Sequence, residues 1–368
     1  MIKRSVTMST ADELIAAGLA PEEQRHAIEE IGKAYAIGVT GTVANLIDLN
    51  DPADPVARQF VPDPAELLRQ PEETDDPTGD GEFSPVEGIV HRYPDRVLLK
   101  LLHICPVYCR FCFRRTTVGQ GRSVHLGPQA LASAIAYIAD RPNIWEVILT
   151  GGDPLTLSPR RLADIMKRLK AVNHVKILRL HTRVPVADPT KVTPDLPGIL
   201  LASGKSIYIA LHANHPRELS EPARAACARL VEAGIPMVSQ SVLLAGVNDN
   251  IDTLTKLMRA FVEARIKPYY LHQLDPAPGT AHFRVPIAKG QELMRQLLGR
   301  VSGLCQPHYM LDIPGGRGKS PIGPNYLTQL TPDGTYEIFD YLGRPQIYPQ
   351  DAPKGAEICG VIYRSPLV

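Results

Sequence analysis

From about residue 96 onward, short apolar runs alternate with segments of helical periodicity, and this alternation restricts the possible folds more than any other feature. Six runs have the length and composition of β-strands: VLLKLL (97–102), EVILT (146–150), KILRLHT (176–182), SIYIALH (206–212), MVSQSVLL (237–244) and PYYLHQL (268–274). Amphipathic segments lie between them, including PQALASAIAYIAD, SPRRLADIMKRLK, EPARAACARLVEAG and IDTLTKLMRAFVEAR. The alternation predicts parallel βα units, and six units favour a barrel or incomplete barrel over a small flavodoxin-like sheet. We therefore predict an α/β fold, a partial (β/α)6 barrel with its chemistry at the C-terminal ends of the strands.

Two flanking regions depart from this alternation and divide the chain into three predicted segments. Residues 1–85 are predicted to form an N-terminal helical region and a linker. Within them, residues 10–37 are predicted to be helical, with Thr10 or Asp12 as the N-terminal cap. The linker contains the acidic run EETDDPTGDGE (72–82), which lacks periodicity and is expected to be a solvated loop. Residues 86–305 form the predicted barrel. Residues 306–368 contain a glycine-rich turn and a hairpin around residues 342–344.

Composition and charge exclude several classes of partner. The chain has 40 basic and 39 acidic side chains, a net charge of +1, so we expect no nucleic-acid partner and no polybasic membrane anchor. No run of about 18 apolar residues occurs, and the N-terminus lacks the apolar core of a signal peptide. We therefore predict a cytoplasmic protein in a reducing environment, where clustered thiols bind metal more often than they form disulfides.

Three of the six cysteines form a cluster directly after the first predicted strand. Cys105, Cys109 and Cys112 have the spacing C-x3-C-x2-C. A structural zinc site and an ordinary four-iron cluster both need four protein ligands, whereas three thiolates leave one iron with an open position. A zinc site or a set of buried thiols is the alternative. The next strand ends in TGGDPL, which fits either a simple turn or a close backbone approach to a ligand.

The cysteine motif, with an aromatic residue before its last cysteine, resembles the signature of the radical S-adenosyl-L-methionine (SAM) superfamily. The resemblance implies a 4Fe-4S cluster on the three cysteines, with SAM bound to the open iron. It also implies a full or partial βα barrel, in agreement with the strand count. Gly151, Gly152 and Asp153 resemble the superfamily motif beside the SAM amino group.

A second motif lies in LDIPGGRGKSPIGPNY (311–326). Its GKS is not a P-loop, because Ile313 occupies the position that requires glycine. A lysine in such a turn can form an imine with pyridoxal 5′-phosphate (PLP). The segment resembles the PGGGGKTPVMPNY region of lysine 2,3-aminomutases, radical SAM enzymes that carry PLP, and the resemblance covers residues 90–330. It implies that Lys319 is the PLP lysine and that other residues bind the cofactors: Arg92, Tyr93 and Arg96 at the PLP phosphate, and His212 and Gln240 near SAM and PLP.

The same resemblance implies a substrate. Asp275 and Asp312 match the aspartates that receive the distal ammonium of lysine, and Arg114 matches the arginine that binds its carboxylate. We therefore predict conversion of L-α-lysine to β-lysine. The alternatives are another amino acid such as glutamate, β-lysine synthesis for elongation factor P modification, or a non-catalytic Fe-S or zinc-binding scaffold. The predicted partners are a reductant such as flavodoxin or ferredoxin, and further copies of the chain.

The remaining cysteines have no predicted chemical role. Larger aminomutases hold zinc between subunits with additional cysteines, but Asn250 occupies the corresponding middle position here. Cys227, Cys305 and Cys359 are therefore predicted to be buried or incidental thiols, and no intersubunit zinc is expected.

Overall fold

A computed structural model of the protein describes residues 6–119, 124–329 and 335–349. Its strands, numbered along the chain, are β1 (Thr7–Met8), β2 (Val39–Thr40), β3 (Ile89–Tyr93), β4 (Arg96–Leu102), β5 (Glu146–Gly151), β6 (Ile177–Thr182), β7 (Ser206–His212), β8 (Met237–Val242), β9 (Ile266–His272), β10 (His308–Asp312), β11 (Lys319–Pro321), β12 (Leu327–Gln329), β13 (Thr335–Phe339) and β14 (Pro345–Pro349). Its α-helices are α1 (Ala11–Ala16), α2 (Arg25–Ala34), α3 (Gly41–Ala44), α4 (Ala57–Phe60), α5 (Pro128–Ala139), α6 (Pro159–Lys170), α7 (Val184–Ala187), α8 (Leu196–Leu201), α9 (Glu221–Glu232), α10 (Ile251–Glu263) and α11 (Ile287–Arg300).

The main sheet has nine strands in the order β11-β10-β9-β8-β7-β6-β5-β4-β3. Strands β4 to β10 are parallel neighbours, and β3 and β11 pair antiparallel with β4 and β10 at the two ends. Each of β4 to β9 is followed by helix, which gives six βα units. The six predicted strands agree with β4–β9 to within two residues at each end, so the predicted partial (β/α)6 barrel is confirmed. The flanking strands β3, β10 and β11 were not predicted.

A hydrogen bond from the backbone to a side chain connects the two end strands of the sheet. The peptide N–H of Lys319 at the start of β11 donates to the hydroxyl of Tyr93 at the end of β3, at 2.8 Å. Gly318 permits this approach, because it has φ +91° and a Cβ there would lie 2.9 Å from the Tyr93 hydroxyl oxygen. Lys319 is thereby placed at the seam between the first and last strands.

The strands have a buried apolar face and a partly accessible polar face. On β6, Leu178 and Leu180 are fully buried, whereas Arg179 and His181 on the opposite face are partly exposed. Helix α6 packs its own apolar positions into the same core as these leucines, which also includes Leu149 of β5. Because side chains alternate across a strand, the face opposite the helices is lined by polar groups.

The N-terminal helix begins as predicted but is shorter. Thr10 caps α1 with its side chain, and Glu13 completes the capping box. The predicted continuous helix is wrong, because Gly18 has φ +70° and Pro21 precedes the next turn, so α1 and α2 are separate.

The acidic run is not a solvated loop throughout. Glu73 is buried and accepts backbone N–H bonds from Gly279 at 2.8 Å and Ala281 at 3.1 Å. Asp80 forms ion pairs with two arginines. The expectation of a solvated run is therefore wrong at these two residues, because residues distant in sequence supply their partners.

By its internal contacts the chain forms two compact units, 1–323 and 324–368. The three-segment division at 85/86 and 305/306 stays a prediction. In the second unit, β12, β13 and β14 form an antiparallel sheet, and the predicted hairpin turns at Gly343, with φ +75°. Cys227 and Cys305 are buried as predicted, and Cys359 lies outside the described residues. None of the helices in the described part of the chain is both long and apolar enough to cross a membrane.

Candidate active site

The three clustered cysteines lie in the loop after β4, close enough to influence one another. Burial raises the pKa of all three thiols, to about 11 at Cys109, and the charge of Cys112 adds to the rise at Cys105 and Cys109. The peptide N–H of Cys112 donates to the carbonyl oxygen of Cys109 at 3.1 Å. Thiols in such a setting ionise only when a cation stabilises the thiolate, and iron is such a cation.

The three thiols are the donors that a four-iron cluster would use. Within the described ranges, no three His, Cys, Asp or Glu side chains converge on a point where one ion could bind. In a four-iron cluster each thiolate binds a different iron, so the three sulfurs need not converge.

The Gly151–Gly152 turn at the end of β5 packs against the cysteine loop. The Gly152 N–H donates to the carbonyl oxygen of Leu102 at 2.6 Å, and the Asp153 N–H donates to that of Ile104 at 2.9 Å. A Cβ on Gly151 would lie 2.5 Å from the Leu102 oxygen, and one on Gly152 would lie 2.1 Å from the Ile104 oxygen. The glycines are therefore needed to seat the segment that leads into Cys105.

The carboxylate of Asp153 holds the neighbouring strand end. It accepts the hydroxyl of Thr182 at 2.7 Å and the backbone N–H groups of Leu155, Arg183 and Val184 at 3.0, 2.7 and 3.2 Å. The side chain is buried, and its carboxylate is occupied by these donors. A contact of Asp153 with SAM stays a prediction.

Lys319 and Asp312 face each other across the antiparallel β10–β11 pair. The ammonium of Lys319 lies 2.5 Å from both carboxylate oxygens of Asp312. His272, at the end of β9, places Nδ1 3.2 Å from the same carboxylate. Although burial alone would raise the pKa of Asp312, His272 and the Lys319 charge hold it well below its usual value. Asp312 is therefore an ionised carboxylate that is already arranged to receive an ammonium group.

Asp275 is a second buried carboxylate in the same site. Its Oδ1 atom has no hydrogen-bond partner among the described residues. Burial, together with the nearby charge of Asp312, raises the pKa of Asp275 to about 7. An unsatisfied buried carboxylate of this kind is stabilised by a cation.

Positive charge is provided by Arg92 on β3 and Arg114 in the cysteine loop, which share the carboxylate of Asp80. The ion-pair distances are 3.0 Å for Arg92 and 3.1 Å for Arg114, and Arg114 also lies 3.4 Å from the Thr150 hydroxyl. The Nε atom of each arginine is buried without a hydrogen-bond partner in the described structure. The structure therefore brings these two predicted residues together, and each keeps an unused donor for an anion.

The other predicted cofactor residues lie along the barrel wall. The guanidinium of Arg96 stacks over the Tyr93 ring at 3.8 Å, and the Tyr93 hydroxyl binds the backbone of Lys319. His212 on β7 pairs in register with Gln240 on β8. Burial, aided by the charge of Arg183, lowers the pKa of His212 to about 3, so its ring is neutral.

Sequence reasoning missed several residues of this site. Asp80, His181 and His272 line it, and the rings of His181 and His212 lie 5.4 Å apart. The period-2 alternation in KILRLHT and PYYLHQL could have identified His181 and His272, because polar residues recur there on one strand face. No local pattern identifies Asp80, whose partners are 12 and 34 positions away in the chain.

Comparison with known proteins is consistent with this geometry. A family profile described as the Radical SAM superfamily matches residues 99–258. The chain is 41% identical over 309 residues to the L-lysine 2,3-aminomutase of Acetoanaerobium sticklandii, covering 84% of this chain and 74% of that protein. It is 39% identical over 312 residues to the L-lysine 2,3-aminomutase of Clostridium subterminale, covering 85% and 74%.

Two further comparisons are more distant. A glutamate 2,3-aminomutase of Clostridioides difficile is 35% identical over 312 residues, covering 85% of this chain and 73% of that protein. Among solved structures, a radical SAM methyltransferase from Sphaerobacter thermophilus matches 61% of this chain and 68% of that chain, with 17% identity and a TM-score of 0.43.

Proposed function

Because the chain belongs to the lysine 2,3-aminomutase family of radical SAM enzymes, we propose that it moves the amino group of L-α-lysine from C2 to C3 and so makes β-lysine. The enzyme uses a 4Fe-4S cluster, SAM and PLP. When bound, the cluster and SAM supply a carbon radical that removes hydrogen, and PLP supplies the aldehyde that carries the migrating nitrogen. The protein's own residues bind, orient and enclose these groups.

The proposed cofactor residues follow the arrangement of the site. Cys105, Cys109 and Cys112 hold the cluster, and the Gly151–Asp153 turn, His212 and Gln240 lie beside SAM. Lys319 bonds PLP, with Tyr93 fixing the backbone of that lysine. Arg92 and Arg96 receive the PLP phosphate, for which their guanidinium groups are suited by charge and by the unused Nε donor of Arg92.

The observation that carries the choice of substrate is the unpartnered Oδ1 atom of Asp275 beside the ionised Asp312. Two buried carboxylates with one unsatisfied oxygen suit a primary ammonium group, the distal group of lysine. Burial raises the pKa of Asp275 and the charge of Arg114 opposes this rise, so the two side chains act on the same site. Arg114 binds the α-carboxylate at the other end of the substrate. The site therefore matches a zwitterion with an additional cationic tail.

A glutamate substrate is less compatible with these residues. Its distal carboxylate would face Asp275 and Asp312, and two like charges in a buried site repel. Because one relative is a glutamate 2,3-aminomutase, glutamate is the second candidate substrate.

We extend the proposal to the cellular setting. The free thiols and the iron–sulfur cluster call for a reducing compartment, which is the cytoplasm. A small electron carrier such as flavodoxin or ferredoxin supplies the electron that the cluster needs. The use of β-lysine for elongation factor P modification and assembly into homo-oligomers stay predictions.

An anaerobic assay tests the proposal. The chain is reconstituted with iron and sulfide, supplied with SAM, PLP and reductant, and incubated with a panel of amino acids. We expect β-lysine from lysine and no product from glutamate. Borohydride reduction followed by peptide mapping should place the pyridoxyl group on Lys319. Turnover of glutamate in place of lysine would overturn the substrate assignment, and a pyridoxyl group elsewhere would overturn the PLP assignment.

A further inference from the structure

We propose that Asp80 is a positioning residue that fixes the arginine of the cofactor phosphate and the arginine of the substrate carboxylate relative to each other. The inference rests on the proposed function, because it takes Arg92 and Arg114 as the ligands of these two anions. It adds a residue from the acidic run, which neither the family motifs nor the spacing of chemical groups singled out.

The carboxylate of Asp80 divides its two oxygens between the two arginines. Oδ1 accepts from Nη2 of Arg92 at 3.0 Å, and Oδ2 accepts from Nη2 of Arg114 at 3.1 Å. All three side chains are largely buried, with 12 to 15% of their surface exposed. One carboxylate therefore restrains both guanidinium groups, each at Nη2, and the carbonyl oxygen of Thr78 also holds Nη2 of Arg92, at 2.6 Å.

The atoms that Asp80 leaves free indicate what the arrangement is for. Nε of Arg92 and Nε of Arg114 are both buried and have no hydrogen-bond partner among the described residues. A guanidinium that is held at one Nη group still presents its Nε–H donor to an anion. Asp80 thus occupies one Nη group of each arginine and leaves the Nε donors for the phosphate and the carboxylate.

The loop that carries Asp80 is itself firmly held. Asp76 accepts the backbone N–H groups of Asp80 and Gly81, both at 2.8 Å. Gly79 packs against the turn before Lys319, since a Cβ there would lie 2.5 Å from the backbone nitrogen of Gly316. Residues 76–81 therefore connect the two arginines to the segment that carries the PLP lysine.

Removal of the Asp80 carboxylate should change anion binding in opposite directions, depending on whether it acts through its charge or by positioning the arginines. If only charge mattered, loss of a negative group beside two arginines would strengthen the binding of both anions. If positioning matters, the arginines lose their common restraint and bind the anions more weakly, at higher entropic cost.

The test compares PLP with pyridoxal, which has the aldehyde but no phosphate. Dissociation constants are measured from the absorbance that develops when each aldehyde reacts with Lys319, in wild type, in Asp80→Asn and in the control Asp75→Asn. Asp75 lies in the same run, but its side chain is 66% exposed. We expect Asp80→Asn to weaken PLP binding roughly tenfold, leave pyridoxal binding unchanged and raise the KM for lysine. Asp75→Asn should behave as wild type.

The other outcomes distinguish failure of the positioning role of Asp80 from failure of the proposed function. Unchanged or tighter PLP binding in Asp80→Asn would overturn the positioning role, and an equal loss for PLP and pyridoxal would show a merely structural one. If Asp80→Asn does not fold, Asp80→Glu displaces the carboxylate while keeping its charge, and the same selective loss of PLP binding is expected. If wild type binds no PLP at Lys319, the proposed function fails first, and the inference fails with it.

Discussion

Asp275 is the residue at which burial and charge conflict most sharply. Its carboxylate is buried, has an unpartnered oxygen and lies within the field of Asp312, so its pKa rises to about 7. Asp312 avoids this conflict because Lys319 and His272 neutralise it. The pair therefore consists of one neutralised carboxylate and one that needs a cation. This arrangement favours a substrate with a positively charged distal group.

This difference predicts a pH dependence of substrate binding. Asp275 gains its charge as the pH rises through about 7, and a bound ammonium favours the charged form. The KM for lysine should therefore fall as the pH rises toward 7 and level off above it. Asp275→Asn should raise this KM roughly tenfold or more above pH 7. It should also abolish the fall of the KM with rising pH below 7. Steady-state kinetics across this range, with the exposed Asp252→Asn as control, measures both effects, and an unchanged profile in Asp275→Asn would contradict this reading.

At the scale of elements, the connection between the β5 turn and the cysteine loop organises the site. Gly152 lies directly against the backbone of Ile104, one residue before Cys105. The motif is recognisable in the sequence, but its packing against the cysteine loop is not, because that contact is made with backbone more than 40 residues away in the chain.

A methyl group at this contact should release the cluster without unfolding the barrel. In Gly152→Ala the new Cβ would lie 2.1 Å from a carbonyl oxygen, so either the turn or the cysteine loop must move. We expect the reconstituted variant to lose most of its iron and of the visible absorbance of the cluster. Gly198→Ala is the matched control, because a Cβ there meets nothing within 4 Å. Full iron content in Gly152→Ala would show that this contact does not seat the loop.

The strands illustrate what local sequence can and cannot predict. β7 was predicted to the residue, since its alternation and its β-branched and aromatic residues are local properties. β11 has only three residues, and β3 pairs with β4 through a bulge between Val90 and Tyr93, so neither offers a clear period. Both depend on pairing with a neighbour, which a short sequence window does not contain.

At the scale of the whole molecule, buried ion pairs join the N-terminal region to the barrel. Glu66 accepts from Arg110 at 2.6 and 2.9 Å and also pairs with Arg115, and Arg110 additionally donates to the carbonyl oxygen of Ala36. These arginines flank Cys112 in the sequence. Glu66, which precedes the barrel, is therefore tied to the chain on both sides of Cys112.

Removal of this carboxylate should cost substantial stability. Glu66→Ala leaves two buried guanidinium groups unpaired, and breaking such a pair costs about 3–5 kcal/mol. We expect the free energy of unfolding, measured by urea denaturation, to fall by about that amount. Glu22→Ala removes an exposed ion pair with Arg25 and should leave the free energy of unfolding nearly unchanged. Equal stability of the two variants would show that the Glu66 network is not a structural tie.

The acidic run shows why the whole molecule could not be predicted from local composition. Its charges and lack of period are typical of a solvated linker, and Asp75 is indeed exposed. Asp80 is five residues further on and is buried only because β3 and the cysteine loop bring Arg92 and Arg114 to it. The sequence motifs single out Lys319, Asp312 and the cysteines, whereas no local pattern singles out the residues that contact and position them.

A competition assay decides whether this chain makes β-lysine from lysine. The anaerobically reconstituted enzyme receives equal concentrations of lysine and glutamate with SAM, PLP and reductant, and the products are identified by mass spectrometry against standards. We expect β-lysine alone, and none when SAM or PLP is omitted or when Lys319→Ala replaces the wild type. β-Glutamate as the main product, or β-lysine formed without SAM, would contradict it.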